Sequence, residues 1–427
     1  MYIREHARIL TTRINEPVSR LIIITGPRQI GKTTLVRKTL ARERSSSEYY
    51  YPILEEPEDE SFLPSLENIN KPIVKGVASL DSKKLNVEWL AEQWQRARKA
   101  ADDIDVNSHE YQRYVLVLDE VQKIPNWSEA VKGLWDADRA AGRQLHVVLL
   151  GSSPLLMQKG LTESLAGRFE LILMTHWSYQ EMYDAFNFEL ETYLYFGGYP
   201  ESSRLVNDEK RWMRYIKDAL IEPTISADIL MMKRVDKPAL LKQLFELACH
   251  YSGQELSLKK MKGELVNAGN ETTLAGYLNL LTYAGLLTGL QKYANQHVRR
   301  KASSPKLLVL NTALMTAVTG YTYQEAMNDK TYRGRLVESA VGAHLYNKGT
   351  PDCRLYYWRE ANNEVDFVVE RGNKLVAIEV KSNPGDGNRR GLEIFKEKFK
   401  PHRTILVGGQ GEPIEIFLST EADDWFA

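Results

Sequence analysis

The chain has 427 residues, 43% hydrophobic and 26% charged, with 56 basic side chains matched by 56 acidic ones. That length exceeds what one hydrophobic core organises and implies several domains, while the ordinary composition excludes a disordered or fibrous chain. Zero formal charge excludes a protein that coats nucleic acid by bulk charge and leaves only local basic patches for that purpose.

Two cysteines, Cys249 and Cys353, offer no disulfide framework and fit a reducing cytoplasm. No apolar run is long enough to span a bilayer, and "MYIREHARIL" lacks the apolar stretch of a secretory signal. The expectation is a cytoplasmic protein without a membrane partner.

In chain order, a short helix within residues 1–20 leads to the strand "LIIIT" and then a helix from Lys32 to Arg42. The acidic, proline-rich stretch 54–72 reads as a surface loop or insertion. "VEWLAEQWQRARKAA" places Trp89, Leu90, Trp94 and Ala97 at helical spacing. Apolar strands follow at 114–120 and 145–153, and strands alternating with helices predict a parallel sheet.

"TGPRQIGKTTL" sits between the first strand and the second helix, the context a phosphate loop requires. Its candidate ATP-binding residues are Gly26, Pro27, Arg28, Gln29, Ile30, Gly31, Lys32, Thr33 and Thr34. Backbone amides and the helix N-terminus favour phosphate oxygens, Lys32 neutralises the β- and γ-phosphates, and Thr33 holds Mg²⁺. "YVLVLDEVQ" ends an apolar strand in Asp119, for the Mg²⁺ shell, and Glu120, placed to polarise the attacking water. "GSSP" offers Ser152 or Ser153 to the γ-phosphate or the water. Arg168, in "LTESLAGRFELILM", suits an arginine finger reaching a neighbouring subunit's nucleotide, or a structural salt bridge.

After about residue 190 helical periodicity takes over. Three amphipathic segments and a hairpin around a basic turn make a winged helix-turn-helix. Thr272, Thr273, Tyr277 and Asn279 would meet a DNA groove, and Arg299, Arg300 and Lys301 the phosphates; a scaffold that only joins domains fits as well.

From about residue 325 come a helix at "GRLVESAVGAHLYN" and strands at 355–358, 365–369 and 375–381. "NEVDFVVERGNKLVAIEVK" reads as a hairpin turning near Gly372, with Asp366, Glu379 and Lys381 at one end. Asp366 and Glu379 suit a hard cation such as Mg²⁺, and Lys381 a water-activating role; a self-satisfied ionic cluster is the alternative.

The order of "GPRQIGKTTL", "VLVLDEVQ", "LLGSS", "LAGRF" and "YLYFGGYPE" resembles AAA-plus-type ATPases of bacteria and archaea that carry a C-terminal domain of uncharacterised function. The likeness extends through "SSPKLLVLNTAL" and "GRLVESAVGAHL". It implies a C-terminal domain similar to the PD-(D/E)XK nuclease fold, with Glu338 as the upstream acid completing the metal site. "MTHWSYQEM" departs from the family pattern, leaving the roles of His176 and Trp177 open.

The expected fold is α/β: a P-loop parallel sheet over 1–190, a helical lid and winged helix over 191–320, and a restriction-endonuclease-like α/β domain over 321–427. The expected activity is ATP hydrolysis in a homo-oligomer acting on DNA with a Mg²⁺-dependent nuclease-like site, the alternative being a nucleotide-controlled switch or assembly factor.

Overall fold

A computed structural model describes residues 2–42, 48–50, 86–102, 114–151, 157, 160–162, 164–229, 235–294 and 303–427. The acidic stretch 54–72, Ser152, Ser153 and the basic turn residues Arg299, Arg300 and Lys301 lie outside these. Two compact units emerge: Ile3–Gly26 with Gly31–Met174, and Thr175–Ala427 with Tyr2 and Pro27–Ile30. Among the described residues no helix is long and apolar enough to cross a membrane.

The first unit is built on five parallel strands: β1 (Leu21–Thr25), β2 (Glu48–Tyr50), β3 (Tyr114–Leu118), β4 (Leu145–Gly151) and β5 (Phe169–Leu173), in the order β2-β3-β4-β1-β5. Strands β1, β3 and β4 are buried throughout, as their unbroken apolar runs require of a sheet covered on both faces. The helix Val87–Asp102 buries Leu90, Trp94 and Ala97. It is tied to the helix Trp127–Ala140 through Asp138, 1% exposed, which accepts from Trp94 Nε1 at 2.7 Å and Arg98 Nε at 2.7 Å. A buried carboxylate is tolerated there because charged donors satisfy it.

The second unit joins helices to a six-stranded mixed sheet. Its strands are β6 (Leu287–Lys292), β7 (Lys306–Val309), β8 (Cys353–Glu360), β9 (Asn363–Arg371), β10 (Lys374–Lys381) and β11 (Arg403–Gly408), ordered β11-β10-β9-β8-β6-β7. The helices Pro238–His250, Leu258–Glu264 and Glu271–Tyr283 precede the β6–β7 hairpin, as expected. That hairpin does not stand apart, because Gln291 and Lys292 of β6 pair in parallel with Tyr356 and Tyr357 of β8. Tyr277 is buried and its hydroxyl accepts from the Lys237 amide at 3.2 Å, so it does not face a groove; Thr272 and Asn279 are exposed.

His176 and Trp177 have structural parts in this unit. His176 is buried, its Nε2 sharing a hydrogen bond with the Gly285 carbonyl at 2.7 Å and its Nδ1 one with Asn311 Nδ2 at 3.2 Å. A Cβ on Gly198 would collide with the Trp177 carbonyl, which explains the second glycine of "FGGYP".

The helix Lys330–Lys348 carries His344, 3% exposed and edge-on to Phe417 and Trp425. Burial, reinforced by Lys348, pushes its pKa down to about 3. Below pH ~6.5 the unfolded chain takes up a proton that the folded ring refuses. This contribution is therefore complete above the unfolded pKa and is lost as pH falls toward the folded one. Urea unfolding at pH 7.5 and 5.5 is expected to show the parent losing about 1 kcal/mol more than His344→Leu across that interval; equal losses would mean that the ring charges within the fold.

Candidate functional site

The phosphate loop begins where β1 ends. Gly26, Gln29 and Gly31 have φ of +156°, +60° and +87°, which glycine adopts freely at two of the three positions. Pro27, Arg28, Gln29 and Ile30 form the loop, and Lys32, Thr33 and Thr34 open the helix Lys32–Arg42. The first turn of that helix holds no acidic residue, so its N-terminal potential for an anion is not cancelled locally. Lys32 is 7% exposed, and its Nζ donates to the Gly26 carbonyl at 3.0 Å.

Asp119 and Glu120 follow β3. Thr33 Oγ1 donates to Asp119 Oδ2 at 2.6 Å, joining the two hard-oxygen groups that a Mg²⁺ accompanying a nucleotide would need. Glu120 has left-handed φ of +52°, and its amide donates to Asp119 Oδ1 at 2.9 Å. Gln122 Nε2 donates to Glu120 Oε2 at 2.8 Å, while Lys123 stands 3.9 Å away. Gln122 was not singled out from the sequence, although its place two residues beyond Glu120 in "DEVQ" is the available signal.

Arg168 precedes β5 and grips Asp136 with both arms of its guanidinium, at 2.8 and 3.0 Å. This is the salt-bridge alternative; both partners are partly exposed, which leaves the pair modest in energy.

The C-terminal candidates gather at one end of the second unit's sheet. The β9–β10 hairpin forms as expected, with Gly372 at φ +59° in its turn and Ile378 opposite Phe367. Beyond that pair, Asp366 Oδ2 accepts from the Val380 amide at 2.8 Å, a side chain standing in for a ladder acceptor. Lys381 Nζ donates to Glu379 Oε1 at 2.8 Å; Glu379 Oε2 is buried and has no partner among the described residues. Burial, then the charge of Asp366, pushes the Glu379 carboxyl up. Burial likewise raises Glu338, against the opposing pull of Lys306.

Lys306, on β7, is the residue that sequence reasoning missed. Its ammonium is ion-paired with Glu338 and lies 3.4 Å from Asp366 Oδ1 and 3.3 Å from the Asp366 carbonyl. It is 7% exposed; burial opposes its charge, but Glu338 and Asp366 outweigh that and raise its pKa. With the lysine between them, the carboxylates of Glu338, Asp366 and Glu379 do not converge, and among the described residues no three His, Cys, Asp or Glu side chains are arranged to hold a metal ion. The only early signal was the lysine in "SSPKLLVL", indistinguishable there from any strand-flanking charge.

Residues 18–183 match the protein family described as an AAA domain. Residues 187–325 and 333–420 match two families described as domains of unknown function, DUF8612 and DUF4143. Uncharacterized proteins of Mycobacterium bovis and Mycobacterium tuberculosis are each 27% identical over 271 residues, 62% of this chain and 58% of theirs, so the match spans less than two thirds of either relative. Among solved structures, a Walker-type ATPase of Pyrococcus abyssi is similar at 15% identity, covering 74% of this chain and 95% of its own, with a TM-score of 0.46. The Holliday junction branch migration motor RuvB of Thermotoga maritima, also at 15%, covers 66% and 86% with a TM-score of 0.30. With its phosphate loop, the parallel-sheet unit is an AAA-type P-loop ATPase domain.

Proposed function

We propose that this protein is an ATP-driven machine acting on DNA, in which turnover at the phosphate loop controls a Mg²⁺-dependent, phosphodiester-cleaving site formed by Glu338, Asp366, Glu379 and Lys381. The observation that carries the ATPase half is the Thr33–Asp119 contact of 2.6 Å at the mouth of the loop. Mg²⁺ held there would neutralise phosphate charge. Lys32 would stabilise charge developing on the γ-phosphoryl oxygens, and Glu120 would accept the proton of the water whose oxygen displaces the β–γ bridging oxygen. Assembly into a homo-oligomer, with Arg168 released from Asp136 to act across subunits, belongs to the same proposal, as does DNA contact by the β6–β7 hairpin.

At the C-terminal cluster the support for a hard cation is narrower: Glu379 Oε2 is buried and has no partner among the described residues, although the three carboxylates do not converge as they stand. Mg²⁺ would supply Lewis acidity toward the scissile phosphate. Lys381, which donates to Glu379, would orient a water and stabilise the phosphoryl transition state.

A second reading is a nucleotide-controlled switch or assembly factor whose C-terminal unit binds partners without cutting. The ion pairs of Lys306 and Lys381 favour it, since they balance much of the carboxylate charge without metal. Incubation of the parent and Lys381→Ala with plasmid, linear and single-stranded DNA in Mg²⁺ or Mn²⁺ separates the two. The nuclease reading expects cleavage by the parent and a loss of about 100-fold or more in the variant. No cleavage by either protein, or equal cleavage by both, supports the switch.

A further inference from the structure

We propose that Trp177 is a positioning residue of the phosphate loop, whose indole N–H holds the Ile30 carbonyl and thereby aims the Gly31 amide that is to meet phosphate. This rests on nucleotide binding at the loop and adds to it the side chain that keeps the loop in shape.

The loop segment Pro27–Ile30 belongs to the same compact unit as Trp177. Trp177 Nε1 donates to the Ile30 carbonyl at 2.9 Å. The peptide that links Ile30 to Gly31 is trans, and a trans peptide sends its C=O and its N–H in opposite directions. Fixing the carbonyl on the Trp177 side therefore turns the Gly31 amide the other way. The segment needs such a hold, because Gln29 has left-handed φ of +60°, a strained conformation outside glycine that surrounding contacts must maintain.

Trp177 is itself fixed in place. Its amide donates to the Gly198 carbonyl at 3.3 Å, its carbonyl accepts from the Tyr193 hydroxyl at 3.3 Å, and its ring lies 5.7 Å from those of both Tyr2 and Phe186. The preceding His176 acts on the other end of the same segment. Asn311 Oδ1 accepts from the Gly198 and Ala313 amides, so Asn311 presents its Nδ2 as a donor to His176 Nδ1. His176 Nδ1 is then the acceptor, and Nε2 carries the proton given to the Gly285 carbonyl at 2.7 Å. Gly285 in turn abuts Pro27, where an added Cβ would collide with the proline ring. The dipeptide His176-Trp177 thus holds Ile30 directly and reaches Pro27 through Gly285. A loop kept in its binding shape has less freedom to lose when nucleotide arrives, so loosening it costs affinity before it costs chemistry.

Trp177→Phe in the full chain keeps a ring for Tyr2 and Phe186 but offers Ile30 no donor. Calorimetric titration with ADP and Mg²⁺ is expected to show affinity falling about fivefold, on the scale of one lost hydrogen bond, while kcat for phosphate release at saturating ATP changes less than about twofold. Unchanged affinity in the folded variant overturns the proposal, with or without a loss of stability in urea, and leaves Trp177 a packing residue. A fall in kcat larger than the fall in affinity overturns it as well. No binding of ADP by the parent overturns the nucleotide reading along with it. Should Trp177→Phe not fold, Gly285→Ala presses on Pro27 instead and is expected to bind ADP at least about fivefold more weakly than Gly320→Ala. That control shares the backbone strain, φ +75° against +74°, but has open space around the added Cβ. Equal affinity of these two variants overturns the proposal.

Discussion

Replacing Glu120 by Gln is expected to cut ATP turnover about 10²- to 10⁴-fold, the range one positioned general base contributes, while nucleotide binding persists. The amide has the shape of the carboxylate and still offers an oxygen to Gln122 Nε2, which donates to Glu120 at 2.8 Å in the parent. What it loses is the capacity to take a proton from water. The backbone at Glu120 is left-handed, φ +52°, an arrangement costing of order 1 kcal/mol in a residue other than glycine. That conformation holds the side chain directly after β3, beside the Asp119 carboxylate that accepts from both the Glu120 amide and Thr33 Oγ1. Phosphate release at saturating ATP, paired with a fluorescent-nucleotide titration, separates the two quantities. Turnover within tenfold of the parent would remove Glu120 from the base role and pass it to another group near the loop.

Much of the ATPase unit was readable because its signals are local. A phosphate loop is one continuous run with a strand before it and a helix after it, and β3 and β4 announce themselves as unbroken apolar stretches. The order β2-β3-β4-β1-β5 was not readable, since parallel neighbours are joined by long crossovers and share no turn. Nor was the three-residue strand β2, too short to leave a pattern.

In the second unit the hairpin of β9 and β10 was legible from its alternation and its glycine, and so was the end that holds Asp366, Glu379 and Lys381. Lys306 was not. It lies 60 residues before Asp366, on a hairpin that reads as a separate wing, and only the parallel pairing of β6 with β8 brings that hairpin into the same sheet. Tyr277 failed for a related reason. Helical periodicity puts it at the margin of the apolar face, and a tyrosine there buries its ring once its hydroxyl finds a donor, here the Lys237 amide. Arg168 illustrates the limit from the other side: its spacing suits a finger, but Asp136, distant in sequence, supplies a partner within the same unit.

Gly408→Ala is expected to cost about 3 kcal/mol of stability and to disturb the C-terminal cluster with it. Gly408 ends β11 opposite Lys381, with φ +72°, where an alanine is strained whatever the space around it. The space is also missing, because an added Cβ would collide with the Lys381 carbonyl oxygen and press on Ile414. The turn cannot easily yield, since the Gly408 amide donates to the Glu412 carbonyl at 2.6 Å and its own carbonyl accepts from Gly411 at 2.8 Å. Relief therefore has to come from the end of β10, which carries Glu379 and Lys381. Gly385→Ala provides the control: it also has positive φ, +82°, but open space around the added Cβ, so it isolates backbone strain from collision. Urea unfolding is expected to rank Gly408→Ala well below Gly385→Ala. Equal stability of the two would mean that β11 shifts without resistance, and that the glycine does not brace the lysine beside it.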